Sequence, residues 1–216
     1  MTIIYEKEQI ETVIRELRAG KVIAFPTDTV YGLGVCYDDE DALQRLKAAK
    51  GRPENKPIPT MVGNRRQLAE VAVVNETIER LADAFLPGAL TLILRRRAQV
   101  ADYVTNGLDT IGVRMPDDPF VLALIDGLGK PMLVTSANRS GEKTGTTFEE
   151  VMEQLDGRID GIVRGTCGCL SASTIIDVSQ EEVRLLREGP ICREAIDKVL
   201  AKALEPDRKG NVKERV

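Results

Sequence analysis

Along this chain, apolar residues recur at helical spacing in some stretches and collect into short solid blocks in others, and the two patterns alternate. Residues 8–19 put Ile10, Val13, Ile14 and Leu17 on one face and stop at Gly20, which predicts an amphipathic helix. Val22–Phe25 is apolar throughout, as in a strand covered on both faces. Asp38 or Asp39 can cap a helix to about Lys50, with Ala42, Leu43, Leu46 and Ala49 facing inward. Ile58–Val62 contains Pro59 and reads as an edge strand or a strand start. Asn64–Glu70 and Asn75–Phe85 read as helices, the second ended by Pro87-Gly88, and Thr91–Leu94 reads as a strand. In Thr110–Pro116 the alternation sets Thr110, Gly112 and Arg114 on one strand face.

Pro119, behind Asp117 or Asp118, opens a helix lined by Val121, Leu124, Ile125 and Leu128. Met132–Val134 is a buried-type strand, and Thr147 with Glu150 forms a capping box ahead of Val151, Met152 and Leu155. Gly161–Val163 and Ser173–Val178 read as strands, Val183–Leu186 as a hairpin partner of the latter, and Ile196, Val199, Leu200 and Ala203 as one face of a closing helix. The sum is an α/β fold: a mixed parallel and antiparallel sheet with flanking helices, one domain over residues 1–205 and a frayed tail over 206–216.

Composition narrows the chemistry. The 216 residues are 43% hydrophobic and 30% charged, as a globular chain with a real core requires. A net charge of −4 argues against holding nucleic acid by bulk electrostatics, although a local basic patch stays open. No apolar run reaches membrane-spanning length and Met1–Lys7 lacks a signal-peptide pattern, so a cytoplasmic protein is expected. Cys167-Gly168-Cys169 has no second pair at zinc spacing, which argues against a structural zinc and leaves a redox role open. Histidine is absent altogether. That removes Ser-His and Cys-His catalysis, imidazole ligands and imidazole bases together.

Three loops can still bind an anion. Lys50-Gly51-Arg52-Pro53-Glu54-Asn55-Lys56-Pro57 holds three cations within seven residues, stiffened by two prolines. It suits a polyanion, or equally dresses a helix C-terminus to match its dipole. Pro26–Gly34 follows a buried strand, where open α/β sheets bind ligands, or is a plain turn. Thr135–Gly141 offers hydroxyls and open backbone to phosphate, or is an ordinary Ser/Asn/Gly turn. Arg95-Arg96-Arg97 is a solvated strand end or a contact for RNA phosphate.

Seven blocks then fall in one order: KVIAFPTDTVYGLG (21–34), KGRPENKP (50–57), PGALTLIL (87–94), TIGVRMP (110–116), SANRSG (136–141), STIID (173–177) and REGPI (187–191). Over about residues 8–192 the chain resembles the threonylcarbamoyl-AMP synthase family, the YrdC-like domain. The resemblance implies a twisted mixed sheet around a large concave cavity. It also implies a reaction in which L-threonine, bicarbonate or CO2, and ATP give threonylcarbamoyl-AMP and pyrophosphate. The product would feed a downstream tRNA threonylcarbamoyl transferase complex acting on the adenosine beside the anticodon, with a weak direct tRNA contact left open. By motif, Lys50, Arg52, Ser136 and Asn138 match the K-x-R and S-x-N signature and carry catalysis. Arg52, Lys56, Thr110, Ser136, Thr144 and Arg187 would contact ATP, and Thr29, Arg114, Val134 and Ser173 would contact threonine. Mg²⁺ would arrive on the ATP phosphates, with no metal held by the protein. Two features depart from the family: Met61 stands near a histidine of archaeal-type members, and Gly165–Ala172 differs from the usual approach to the STIID block. The chain has the extent of the short, single-domain form. The competing readings are a paralogue of the same fold with another carbamoyl or acyl substrate, and a non-catalytic RNA-binding module.

Overall fold

The structure, a computed structural model, describes residues 1–53, 56–169 and 171–201. Its strands are β1 (Ile3–Tyr5), β2 (Ile23–Phe25), β3 (Gly32–Cys36), β4 (Thr60–Met61), β5 (Leu90–Arg95), β6 (Thr110–Arg114), β7 (Met132–Ser136), β8 (Gly161–Val163), β9 (Thr174–Asp177) and β10 (Arg184–Arg187). They form one sheet in the order β1-β8-β2-β3-β7-β4-β6-β5-β9-β10. Direction is mixed as expected: β8 is parallel to β1 and β2, whereas β3 runs antiparallel to β2 and β7. The foreseen hairpin is present as β9–β10, antiparallel, with a register shift between Leu185 and Arg187.

Helices form where the spacing places them. Asp39 caps α2 (Glu40–Lys50) by accepting from the Ala42 N–H, and Gly51 ends it in the left-handed region at φ 59°. Asp118 caps α6 (Pro119–Leu128), with proline at the first turn. The buried face of α1 (Ile10–Arg18) is Val13, Ile14 and Leu17.

Strand alternation divides the core between two faces. On one face Leu33, Val35, Leu90, Leu92, Leu94, Ile111, Val113, Leu133 and Ile176 join the inward residues of α2, of α4 (Glu76–Phe85) and of α7 (Phe148–Leu155). On the other, α1 and α6 pack over Ile23, Phe25, Met61, Met132 and Val134. That second cover serves β2, β3, β4 and β7. Farther across the same face, Thr91, Ile93, Arg114 and Ile175 line a cavity instead. The site exists because this face is only half covered.

Some elements differ from the sequence reading or refine it. Gly32–Cys36 is a full strand of the sheet rather than part of a loop. Its glycines leave no apolar pattern, and packing requires them: a Cβ on Gly32 would come 2.9 Å from Val134 Cγ1, and one on Gly34 2.9 Å from Phe25 Cε1. Of the two readings of Ile58–Val62, the strand start holds and the edge does not. Pro59 lies just before β4, which pairs with both β6 and β7. The strand β1 and the short helix α5 (Asp102–Thr105) carry too few residues to show a period. The closing helix is α8 (Arg193–Ala201). Ala203 and the tail over 206–216 lie outside the described residues.

Candidate active site

Segments from seven parts of the chain line a cavity of about 340 Å³. Thr27, Thr29, Tyr31 and Gly32 come from the β2–β3 connection and the start of β3; Arg52, Pro57 and Pro59 from the proline-stiffened loop; Met61 from β4. The sheet contributes Thr91, Ile93, Arg114, Val134, Thr135, Ser136 and Ile175, and the last segments contribute Ala172, Ser173, Leu186 and Arg187.

Three guanidinium groups face this space, and their surroundings differ. Arg114, 5% exposed, donates from Nη2 to Asp28 Oδ1 at 2.6 Å, from Nη1 to Thr29 Oγ1 at 2.7 Å and from Nε to the Gly88 carbonyl at 3.1 Å. Burial lowers its pKa, and the Asp28 carboxylate opposes that shift. Three of its five N–H groups are thus engaged, which leaves one on each terminal nitrogen. Such a pair bridges a carboxylate. Thr29 is fixed in turn: its N–H donates to Thr27 Oγ1 at 3.1 Å, and Thr27 donates to the Val30 carbonyl at 2.8 Å.

Arg52 and Arg187 lack such a counter-charge among the described residues. Arg52 donates to the carbonyls of Lys56 and Pro57 at 3.1 and 2.9 Å. Arg187 donates to the Ser173 carbonyl from Nε and Nη2 at 3.0 and 2.7 Å. Burial lowers both, and the Arg114 charge adds to the effect on Arg187. One cation is therefore neutralised and aimed, and two stand uncompensated, as a site for a multiply charged anion needs. Ser173 ties the approach to β9 to the neighbouring strand β5 through a 2.8 Å contact with Thr91 Oγ1.

The K-x-R and S-x-N residues divide across the cavity wall. Arg52 and Ser136 line it, whereas Lys50 and Asn138 stand behind it, 3% and 7% exposed. Lys50 Nζ donates to the carbonyls of Ser136 and Asn138 and, at 3.4 Å, to Asn138 Oδ1. Burial and the charge of Arg52 bring Lys50 down to about 7. Thr29, Val134 and Ser173 line the cavity with Arg114, as grouped in the sequence reading. Lys56 is exposed and off the wall. Thr110 opens onto a neighbouring hollow with Arg95 and Gln180. Thr144 is half-buried beside Gly145, whose carbonyl accepts from the Tyr31 N–H.

The sequence marked Pro26–Gly34 as a possible ligand loop but gave Thr27, Asp28 and Tyr31 no role of their own, and it passed over Thr91. For Thr91 a signal existed: it alternates with Leu90 and Leu92 and so faces away from the core. The partner of Asp28 was not legible, because it lies 86 residues away.

The sequence model of the Sua5/YciO/YrdC family, described as "Telomere recombination", matches residues 15–189. The chain belongs to that family. It is 41% identical over 195 residues to a threonylcarbamoyl-AMP synthase of Bacillus subtilis, covering 89% of this chain and 56% of that protein. Among solved structures, Pyrococcus abyssi Sua5 complexed with L-threonine superposes with a TM-score of 0.87 at 38% identity, over 93% of this chain and 61% of that one. Escherichia coli YciO superposes with a TM-score of 0.83 at 28% identity, over 91% of this chain and all of that one. This member of the family thus spans little more than half the length of its Bacillus relative. Among the described residues no cluster of three or more carboxylates or thiols is placed to hold a metal ion, and no helix is long and apolar enough to cross a membrane.

Proposed function

We propose that the cavity joins L-threonine, bicarbonate and ATP into threonylcarbamoyl-AMP. The observation that carries this is the division of its guanidinium groups: Arg114 neutralised and oriented by Asp28, Arg52 and Arg187 uncompensated among the described residues. The directional pair on Arg114 suits the single carboxylate of an amino acid, with Val134 and Met61 as the apolar wall beside it. Arg52 and Arg187 suit a triphosphate, and Ile93, Ile175 and Leu186 offer an apolar surface to a nucleobase.

The chemistry needs little else. Threonine's amine and bicarbonate give a carbamate and water. A carbamate oxygen then forms a bond to the α-phosphorus while the bond to the β-phosphate oxygen breaks and pyrophosphate leaves. Both reactants are anions, so the barrier is largely like-charge repulsion, which fixed cations relieve without a nucleophile or an imidazole. A divalent cation held by the triphosphate's own oxygens would add to that charge and stabilise the leaving group. The product would pass to the enzymes that modify the adenosine beside a tRNA anticodon, in the cytoplasm.

Support comes from the Bacillus relative's name and from L-threonine in the Pyrococcus complex. The RNA-module reading loses its footing at Arg95–Arg97. Arg95 donates to the Ser179 carbonyl, Arg96 to the Val100 carbonyl and Asp102, and Arg97 to the carbonyls of Ala69 and Ala72. Pyrophosphate release from ATP, with threonine and bicarbonate omitted in turn, is the test. The proposal expects release to need both. Release indifferent to threonine points to a paralogue with another substrate.

A further inference from the structure

Lys50 carries a role that a charge count alone would miss. It is the last residue of α2, almost wholly buried, yet it makes no ion pair among the described residues and does not reach the cavity wall. Its acceptors among the described residues all belong to the segment that ends β7: the carbonyls of Ser136 and Asn138, and Asn138 Oδ1. The same two segments are bonded again through the backbone, where the Ser140 N–H donates to the Lys50 carbonyl at 2.8 Å. Gly51 and Arg52 turn back on the same helix end, through N–H groups donating to Ala48 and Lys47. The helix end therefore grips the Ser136 turn with one hand and launches the Arg52 loop with the other.

Asn138 completes the grip. Its Nδ2 donates to the carbonyls of Arg139 and Glu142 at 2.8 and 2.9 Å, so its Oδ1 must face the other way. There it accepts from Ser136 Oγ at 2.6 Å and from Lys50. Ser136 is the only one of the three that lines the cavity.

We propose that Lys50 is a positioning residue: from behind the cavity wall its ammonium holds the Ser136–Asn138 turn by its carbonyl oxygens, and so sets Ser136 and Arg52 at a fixed separation across the reacting groups. It acts through Ser136 and Arg52 and touches no substrate. A neutral amine has two N–H groups and could not serve all three acceptors, so the grip is complete only in the charged form. How far this positioning matters to turnover rests on the adenylation reading; the grip itself does not.

The test compares wild type with Lys50→Met, which fills the same buried position with an apolar chain. Lys50→Gln, which keeps a donor, stands in if the first variant folds poorly. Amide hydrogen exchange reads the grip without any reaction: Lys50→Met should speed exchange at residues 136–140 and leave the distant sheet unchanged. Calorimetry with ATP and the rate of pyrophosphate release read its consequence. Displacing Ser136 relative to Arg52 should lower the rate about a hundredfold, while ATP affinity shifts less than about threefold because Arg52 and Arg187 remain. Unchanged exchange at 136–140 overturns the proposal, and so does an ATP affinity that falls as far as the rate, which would mark Lys50 as a direct phosphate contact. A wild type that releases no pyrophosphate in response to threonine overturns the adenylation reading instead, and leaves the exchange result standing.

Discussion

Arg114 and Lys50 are both buried cations, and the structure treats them in opposite ways. Arg114 has a carboxylate at 2.6 Å, whereas Lys50 has only carbonyl oxygens among the described residues. An ammonium without a counter-charge is costly to bury, and this sets the sign of a pH effect. Burial brings the Lys50 ammonium down from its ordinary 10.5 to about 7 in the folded chain. Between those values the unfolded chain binds more protons, so stability should rise as pH climbs through that window and be lowest below it. Urea unfolding of wild type at pH 6.5 and 9 should show the rise, and Lys50→Met should flatten it. An equal slope in the variant would mean another group titrates there. At this scale the sequence revealed residue types and little of their pairing. It brought Arg52, Arg114 and Arg187 forward as cations but could not separate the paired one from the others, because Asp28 and Arg114 meet only through the fold.

Elements were legible wherever a period had room to show. The helices at residues 10–18, 40–50 and 119–128 lie within a residue or two of their apolar stripes and capping residues. The strand at residues 32–36 was hidden because its glycines answer to neighbours' side chains rather than to an alternating pattern. Glycine also explains the Cys167-Gly168-Cys169 segment, which the sequence reading had weighed for metal or redox chemistry. Its central residue lies against the loop that holds Arg114: the Gly168 N–H donates to the Thr27 carbonyl at 3.0 Å, and a Cβ there would stand 2.7 Å from the Asp28 carbonyl oxygen. Backbone cannot yield as a side-chain tip can. Gly168→Ala should therefore displace the Thr27–Thr29 turn, cost about 1–3 kcal/mol of stability as overpacking, and weaken threonine binding more than ATP binding. Paired thermal melts and calorimetric titrations would show it. A variant that binds threonine as wild type does would detach this segment from the site.

For the whole molecule, the mixed sheet followed from strands alternating with helices and from the terminal hairpin. Its strand order did not, because β4 enters between β6 and β7 through pairings far apart in sequence. That order lays one half of a face under α1 and α6 and leaves the other half to the cavity, where cations from three distant segments could be set to separate tasks. The division of those tasks is the central claim, and calorimetric affinities for ATP and for threonine in Arg52→Ala, Arg187→Ala and Arg114→Gln test it most directly. Loss of one desolvated charge contact is worth about 2–5 kcal/mol. ATP affinity should therefore fall more than about tenfold in the first two variants, with threonine within about threefold of wild type. Arg114→Gln should show the reverse. If all three variants weaken both ligands alike, the cavity holds one undivided field of positive charge, and the account given for it is wrong.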